Sequence, residues 1–199
     1  FGCSEDLMDE INENLNSTTE QTVENILPDI CLKTAVQTVG IDIAWWCSVY
    51  IEHNAGTWGQ SGNADRRIGQ ESSSLFNNNW NDLYNVMNTC TDIINITDPV
   101  NGREPTTYGG RGVAQILLAY NLAVATDMWG EVPFTEAFKG LEILKPKYEN
   151  QSDLYPAIMQ LLDDGIANFG NPETTIPAAK DLIYGGNINA WIKAAHSLK

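Results

Sequence analysis

The segment His53–Gly69, HNAGTWGQSGNADRRIG, gathers the residue types that bind a polar ligand. Trp58 offers a flat indole, Asn63, Arg66 and Arg67 offer amide and guanidinium donors, and Gly56, Gly59 and Gly62 make the backbone between them permissive. A sugar stacks its apolar C–H face on an indole while its hydroxyls take planar polar groups. A peptide would use the same donors for its backbone carbonyls. Trp58, Asn63, Arg66 and Arg67 are therefore the candidate ligand-binding residues. The plain alternative is a glycine-rich surface loop with Trp58 tucked against the body and the arginines balancing an acidic surface; the residue types alone favour neither.

Catalysis asks for more than the chain offers. Asp163-Asp164 is an adjacent pair at the solvent edge of an amphipathic stretch, where a charged face is the ordinary explanation. His53 and His196 stand more than 140 residues apart with no local partner, so no metal site, nucleophile–base pair or cofactor cradle is spelled out. The expectation is a binding protein without enzyme activity, metal or cofactor.

Charge narrows the partners. Asp and Glu outnumber Lys and Arg by 26 to 11 in 199 residues, and a net charge of −15 repels a phosphate backbone. Nucleic acid is excluded as a natural partner. No apolar run reaches the roughly 18 to 20 residues a membrane-spanning helix needs.

The beginning, FGCSEDLMDEINENLN, nevertheless points to a membrane surface. An apolar residue and Gly directly before Cys3 resemble the end of a bacterial lipoprotein signal, which would make Cys3 the lipid-attachment site. Between Cys3 and Ile30 there are eight carboxylates and no Lys or Arg, which suits a solvated tether over 1–17 ahead of a folded body over 18–199. Ser4-Glu5-Asp6 looks like the acidic signal that places some lipoproteins on the outer face of the outer membrane. Acyl chains contribute about 0.8 kcal/mol per buried CH₂, enough in combination to hold such a body at a bilayer. The other thiols, Cys31, Cys47 and Cys90, show no CxxC spacing. On one helix Cys31 and Cys47 would lie about 24 Å apart, beyond disulfide reach, and all three read as small buried hydrophobes, a Cys90 bridge being the lesser possibility.

The elements that must position these residues are helical. Phe76, Trp80, Leu83/Tyr84, Met87, Cys90 and Ile93/Ile94 step by three and four; so do Val113, Ile116/Leu117, Tyr120, Ala123/Val124 and Met128, and again Leu154, Ile158, Leu161/Leu162, Ile166 and Phe169. An earlier long helix is expected to open with Pro28 in its first turn, soften near Gly40 and close at Asn54–Gly56, with Trp45, Trp46 and Tyr50 in its core rather than in a sugar-binding arc. A last helix starts at Asn187 as N-cap and shows no stop signal by Lys199, so the chain reads as the front of a longer protein. Period-two strands are nearly absent. The architecture expected is all-α, with long irregular segments at Gly56–Gly69, Asp98–Gly112, Gly130–Gln151 and Gly170–Gly186. A shift of 33 residues lays Trp80, Leu83, Tyr84 and Met87 over Val113, Ile116, Leu117 and Tyr120, close to a tetratricopeptide period.

The stretch DMWGEVPFTEA, Asp127–Ala137, reads as a rigid corner. Gly130 can take the left-handed conformation that caps a helix ending on Met128-Trp129, Pro133 forces an extended exit, and Thr135 can cap a short turn containing Glu136, Ala137 and Phe138. Trp129 and Phe134 are expected to pack in the core there.

DMWGEVPFTEA resembles the hallmark of the SusD/RagB family of outer-membrane nutrient-binding lipoproteins. Three further stretches share the resemblance in the family's order: WNDLYNVMNTCTDII (Trp80–Ile94), KPKYENQSDLYPAIMQLLDDGI (Lys145–Ile166) and DLIYGGNINAWIKAAHSLK (Asp181–Lys199). Departures are local: Asn187 stands where the family often has Asp, His196 where it has Asn, and Thr91 where Asn is common. The resemblance implies a scaffold of tetratricopeptide-like helix hairpins, and a SusC-like TonB-dependent transporter as partner. It also implies an oligosaccharide or peptide ligand and a lipid-anchored position facing outward from the outer membrane. In the family the loop after the first long helix contributes to ligand sites, here the Trp58 segment. A helical adaptor that binds no small ligand is the alternative, and a glycoside hydrolase a distant third.

Overall fold

Val23, Leu27, Ile30 and Cys31 are buried, forming one helical stripe on the first helix, α1 (Val23–Lys33). The computed structural model describes residues 20–69, 71 and 76–199. Cys3, the expected lipid-attachment residue, and the expected 1–17 tether lie outside the described residues. α1 begins at Val23, earlier than expected, so Pro28 sits inside the helix rather than in its first turn. The orphan N–H of Val23 finds the Glu104 carboxylate at 3.2 and 3.3 Å, a distant side chain doing the work of a cap.

The softening near Gly40 is real and has a cause. The chain runs from α1 into a wider π-helical stretch, Thr34–Gly40, then breaks at Ile41 (φ −99, ψ −111) before α2 (Asp42–Tyr50). The wide turn points two buried hydroxyls at one amide on the central helix. Asn121 Nδ2 donates to Thr34 Oγ1 at 3.0 Å, and Thr38 Oγ1 donates to Asn121 Oδ1 at 2.6 Å. Such insertions occur where tertiary bonds compensate for the strained ladder.

Three helices form the body: α4 (Asn77–Ile96), α5 (Tyr108–Trp129) and α6 (Gln151–Phe169), with the short α3 (Gly59–Arg66) before them and α7 (Ile188–Leu198) after. α5 is the centre, packed by α4 on one side and α6 on the other. Both hairpins are antiparallel. Arg111 near the start of α5 donates to Ile94 and Thr97 carbonyls at the end of α4, and Gln151 at the start of α6 donates to the Thr126 carbonyl near the end of α5. Leu83, Met87, Cys90 and Ile93 of α4, Val113, Leu118 and Leu122 of α5, and Leu154, Ile158 and Leu162 of α6 meet in one core. On α4 and α6 these are the stripes the spacing predicts. α5, sandwiched between them, is buried on nearly every side, so Leu118 and Leu122 join the core while the expected Tyr120, Val124 and Met128 are only half-buried. Among the described residues the only β-pairing is an isolated antiparallel bridge between Val132 and Glu149.

That bridge locks the corner. Gly130 takes φ +76 with ψ −103, a positive-φ conformation outside the left-handed helical region expected. A Cβ there would meet nothing within 4 Å, so backbone conformation and not space requires the glycine. Glu149 then gathers the exit: its carboxylate accepts from the Phe134 N–H (2.9 Å), the Thr135 N–H (2.6 Å) and the Thr135 hydroxyl (3.0 Å). Thr135 is thus tied to Glu149 rather than capping its own turn as expected; the turn closes through Ala137 N–H to the Phe134 carbonyl at 3.1 Å. Trp129 and Phe134 pack against the core, as the sequence suggests.

At the far end, Asn187 caps α7 by accepting from Ala190 N–H at 3.1 Å. Asp181 holds the approach to this helix. Buried, it accepts from the Ile183, Tyr184 and Gly186 N–H groups at 3.0, 3.0 and 2.9 Å, and from the Trp191 indole at 2.7 Å.

Candidate ligand-binding site

The Trp58 segment is more ordered than its composition suggests. Instead of a loop, Gly59–Arg66 forms α3; Gly59 supplies the positive φ (+56) of its first residue, while Gly56 allows close approach. A Cβ on Gly56 would lie 1.7 Å from the Ser61 carbonyl oxygen, and Gly62 is buried beside Ala64 where α3 leans on α2. The Trp58 carbonyl receives the Ser61 hydroxyl at 2.8 Å and the Gly62 N–H at 3.1 Å, which closes the first turn. Gly56 N–H meets the Asp65 carboxylate at 3.3 Å. Beneath lies a small aromatic cluster in which Trp46 stacks on Trp45 (ring centroids 4.4 Å) and meets Tyr50 at 5.5 Å and Phe76 at 6.0 Å. Trp46 is buried and Trp45 and Tyr50 pack on it, which makes this trio core, as expected.

Trp58 is not tucked against that cluster. Its side chain is 86% exposed on an extended residue immediately ahead of the helix. The four candidates do not converge on one point. Arg67, in left-handed conformation (φ 56), turns back to α2: its Nη2 donates to the Tyr50 carbonyl at 3.3 Å and lies 3.7 Å from the Glu52 carboxylate. Both partners of that ion pair are largely exposed, so it positions more than it stabilises. Asn63 and Arg66 are exposed on α3, with the Asn63 carbonyl accepting from Ile68 N–H at 3.0 Å. The arrangement can present a flat indole with amide and guanidinium donors on one short helix, while Arg67 serves the scaffold.

A second aromatic group surrounds the corner. Trp80 meets Tyr84 (4.8 Å), the edge of Trp129 (5.3 Å) and Tyr148 (6.4 Å, planes 20° apart), and Tyr84 meets Phe138 at 6.0 Å. The Tyr84 hydroxyl donates to the Pro133 carbonyl at 2.7 Å, and burial pushes its pKa well above the ordinary phenol value. Tyr148 was not among the sequence candidates. The signal lay in its place two residues after Pro146, in an extended strip facing a helix whose Trp80 and Tyr84 are one turn apart.

The remaining chemistry-bearing residues are dispersed. Asp163 pairs with Lys199, and Asp164 accepts from Gln160 at 2.8 Å on the same helix, so the adjacent carboxylates serve separate partners. No group of three or more His, Cys, Asp or Glu side chains stands in metal-binding range among the described residues. Cys31 and Cys90 are buried and free as expected, but Cys47 is exposed. The break at Ile41 rotates α2 so that Trp46 and Val49 face inward and Cys47 outward.

Four motif stretches thus occupy one antiparallel helical body in sequence order, and the comparison with known proteins agrees. Residues 48–199 match the SusD-like family described as starch-binding associating with outer membrane. The chain belongs to the SusD-like family. A crystal structure of a SusD/RagB family protein from Bacteroides thetaiotaomicron VPI-5482 superposes on this SusD-like chain with a TM-score of 0.83 and 32% identity, covering 90% of this chain and 37% of that one. A chitin-binding SusD homologue from Flavobacterium johnsoniae superposes with a TM-score of 0.61 and 16% identity, covering 88% and 37%, which shows a shared fold. The SusD-like chain therefore spans 37% of the length of each of these relatives. No curated protein matches it. Among the described residues no helix is long and apolar enough to cross a membrane.

Proposed function

We propose that this SusD-like chain is part of a cell-surface lipoprotein that captures an oligosaccharide, or in the RagB-like variant a peptide. It would pass that ligand to a SusC-like TonB-dependent transporter in the outer membrane. In this reading Cys3 carries the lipid, residues 1–17 form the tether and 18–199 form the helical body. The protein acts by binding and not by catalysis. Family membership and the chitin-binding relative support the glycan class.

The observation that carries the ligand site is Trp58: a large indole left 86% exposed on the residue immediately before α3, a short helix whose exposed positions include Asn63 and Arg66. Solvent exposure of a whole indole forgoes about 1.5–3 kcal/mol of burial, which a stacked sugar would recover. Arg67 supports the site from behind by holding the end of α3 to the Tyr50 carbonyl.

Screening the purified chain against immobilised oligosaccharides and short peptides tests this reading. Retention of at least one ligand class, weakened by Trp58→Ala, is the expected result. A chain that ignores every ligand while still joining the transporter would instead be a helical adaptor.

A further inference from the structure

The strip from Phe138 to Tyr148 folds back beside α4 and leaves an open cleft of about 550 Å³ that contains none of the Trp58 segment. Its walls are flat and largely apolar: Trp80, Tyr84, Pro133, Phe138 and Tyr148. Tyr148 is 62% exposed and lies nearly parallel to Trp80, so one face of its ring backs onto an indole while much of the side chain remains open to solvent. The Tyr84 hydroxyl spends its proton on the Pro133 carbonyl and keeps an oxygen lone pair as acceptor.

The charge around this cleft runs against that of the whole chain. Acidic residues outnumber basic ones by 26 to 11 overall, yet Lys139 and Lys145 line the cleft and no carboxylate does. Glu136 is committed to Lys147, through an ion pair at 3.0 Å and the Lys147 N–H at 3.0 Å, which holds its carboxyl below the ordinary range. Lys139 and Lys145 form no ion pair among the described residues. Glu142 lines the neighbouring hollow, not this one.

We propose that this cleft is a second binding site, one that takes a uronate unit of an acidic oligosaccharide: the pyranose C–H face lies on Tyr148, and the carboxylate sits between the ammonium groups of Lys139 and Lys145. The inference rests on the glycan-binding reading above and places an added anionic subsite at the corner. Glu136 lies within electrostatic reach of Lys139 but pairs with Lys147, so both cleft ammonium groups keep donors for an anion. A neutral sugar gains hydrogen bonds from them but not charge attraction, and an acidic peptide side chain brings charge without a broad face for the ring.

The test is calorimetric titration of the full chain with trigalacturonate, its methyl ester and hexaglutamate. Trigalacturonate is expected to bind, with the ester and the peptide each weaker by about fivefold or more, and added salt narrowing the difference. Lys139→Gln with Lys145→Gln should reduce trigalacturonate affinity by a similar factor, and Lys139→Arg with Lys145→Arg should restore it. Both positions are exposed, and an unchanged thermal melt confirms an intact fold. Equal affinity for acid and ester, equal affinity for hexaglutamate, or indifference to the lysine pair overturns the inference. If neutral oligosaccharides bind and trigalacturonate does not, this site falls and the proposed function stands. If only short peptides bind, this site falls with the glycan reading it rests on and the peptide form of the proposed function stands; if neither saccharide nor peptide binds, both fall.

Discussion

Gly112 of α5 and Gly165 of α6 face each other so closely that a Cβ on either would stand 3.1 Å from the other's carbonyl oxygen. The contact lets the two helices touch backbone to backbone at the end of this antiparallel hairpin opposite the corner that carries the aromatic cleft. A Cβ on Gly112 would also stand 2.7 Å from the Phe169 ring.

Gly112→Ala should therefore destabilise the chain. Helix propensity favours Ala over Gly by about 1 kcal/mol, while overpacking at a closed contact costs about 1–3 kcal/mol. Backbone is the obstacle on one side, so the clash should win, with a net loss of about 1–2 kcal/mol and a fall in Tm of several degrees in a thermal melt. An unchanged or higher Tm would mean that the helices can separate freely.

Asp181 is the second structural keystone, joining three backbone N–H groups and the Trp191 indole while buried. Asp181→Ala leaves these donors without their acceptor and should cost about 3 kcal/mol or more in urea unfolding. Trp191→Phe keeps much of the packing but deletes one charge-assisted bond and should cost less, nearer 2 kcal/mol. Equal costs would show that packing, not hydrogen bonding, dominates at this turn.

The thiols give a pH-dependent readout. Burial pushes the Cys31 thiol up to about 11 from an ordinary value of 9.0, and burial raises Cys90 as well. Above pH 9 the unfolded chain releases these protons while the folded one keeps them, so stability should fall as pH rises from about 9 towards 11. Comparing the slope with that of the Cys31→Ala, Cys90→Ala double variant isolates the thiols from other groups; the variant should be flatter. At pH 8 a thiol reagent should label the exposed Cys47 in the native protein and reach Cys31 and Cys90 only after unfolding.

The helical body was legible because its stripes obey one period: Leu83, Met87, Cys90 and Ile93 face inward as their spacing says. The corner was legible too, since Gly130 permits the positive φ that ends the helix and Pro133 fixes the φ of the exit. Tertiary partners were not. Nothing near Thr34 or Thr38 in sequence announces Asn121, 87 and 83 residues away, and that pairing gives the π-helical turn a tertiary anchor. Glu104 capping α1 from 81 residues away and Glu149 holding Thr135 across 14 are further bonds that no local pattern encodes.

The ligand segment shows the same limit. Its glycines suggested a loop because Gly is a weak helix former, yet Gly59 and Gly62 lie in a short helix and Gly56 serves a close backbone contact with Ser61 just ahead of it. Among the candidates, Arg67 turned out to bond to the scaffold, while Trp58 stayed open. Tyr148 escaped notice because its ring gains meaning only beside Trp80, 68 positions earlier in the chain.

Ligand capture through an exposed indole is tested most directly by titrating one neutral oligosaccharide, chosen as the strongest binder in the screen, into the native chain and Trp58→Ala by calorimetry. The expected result is saturable binding that weakens about tenfold or more in the variant, with unaltered Tm, since Trp58 adds little to the core. Identical affinities in the two proteins, or no heat of binding in either, would contradict it.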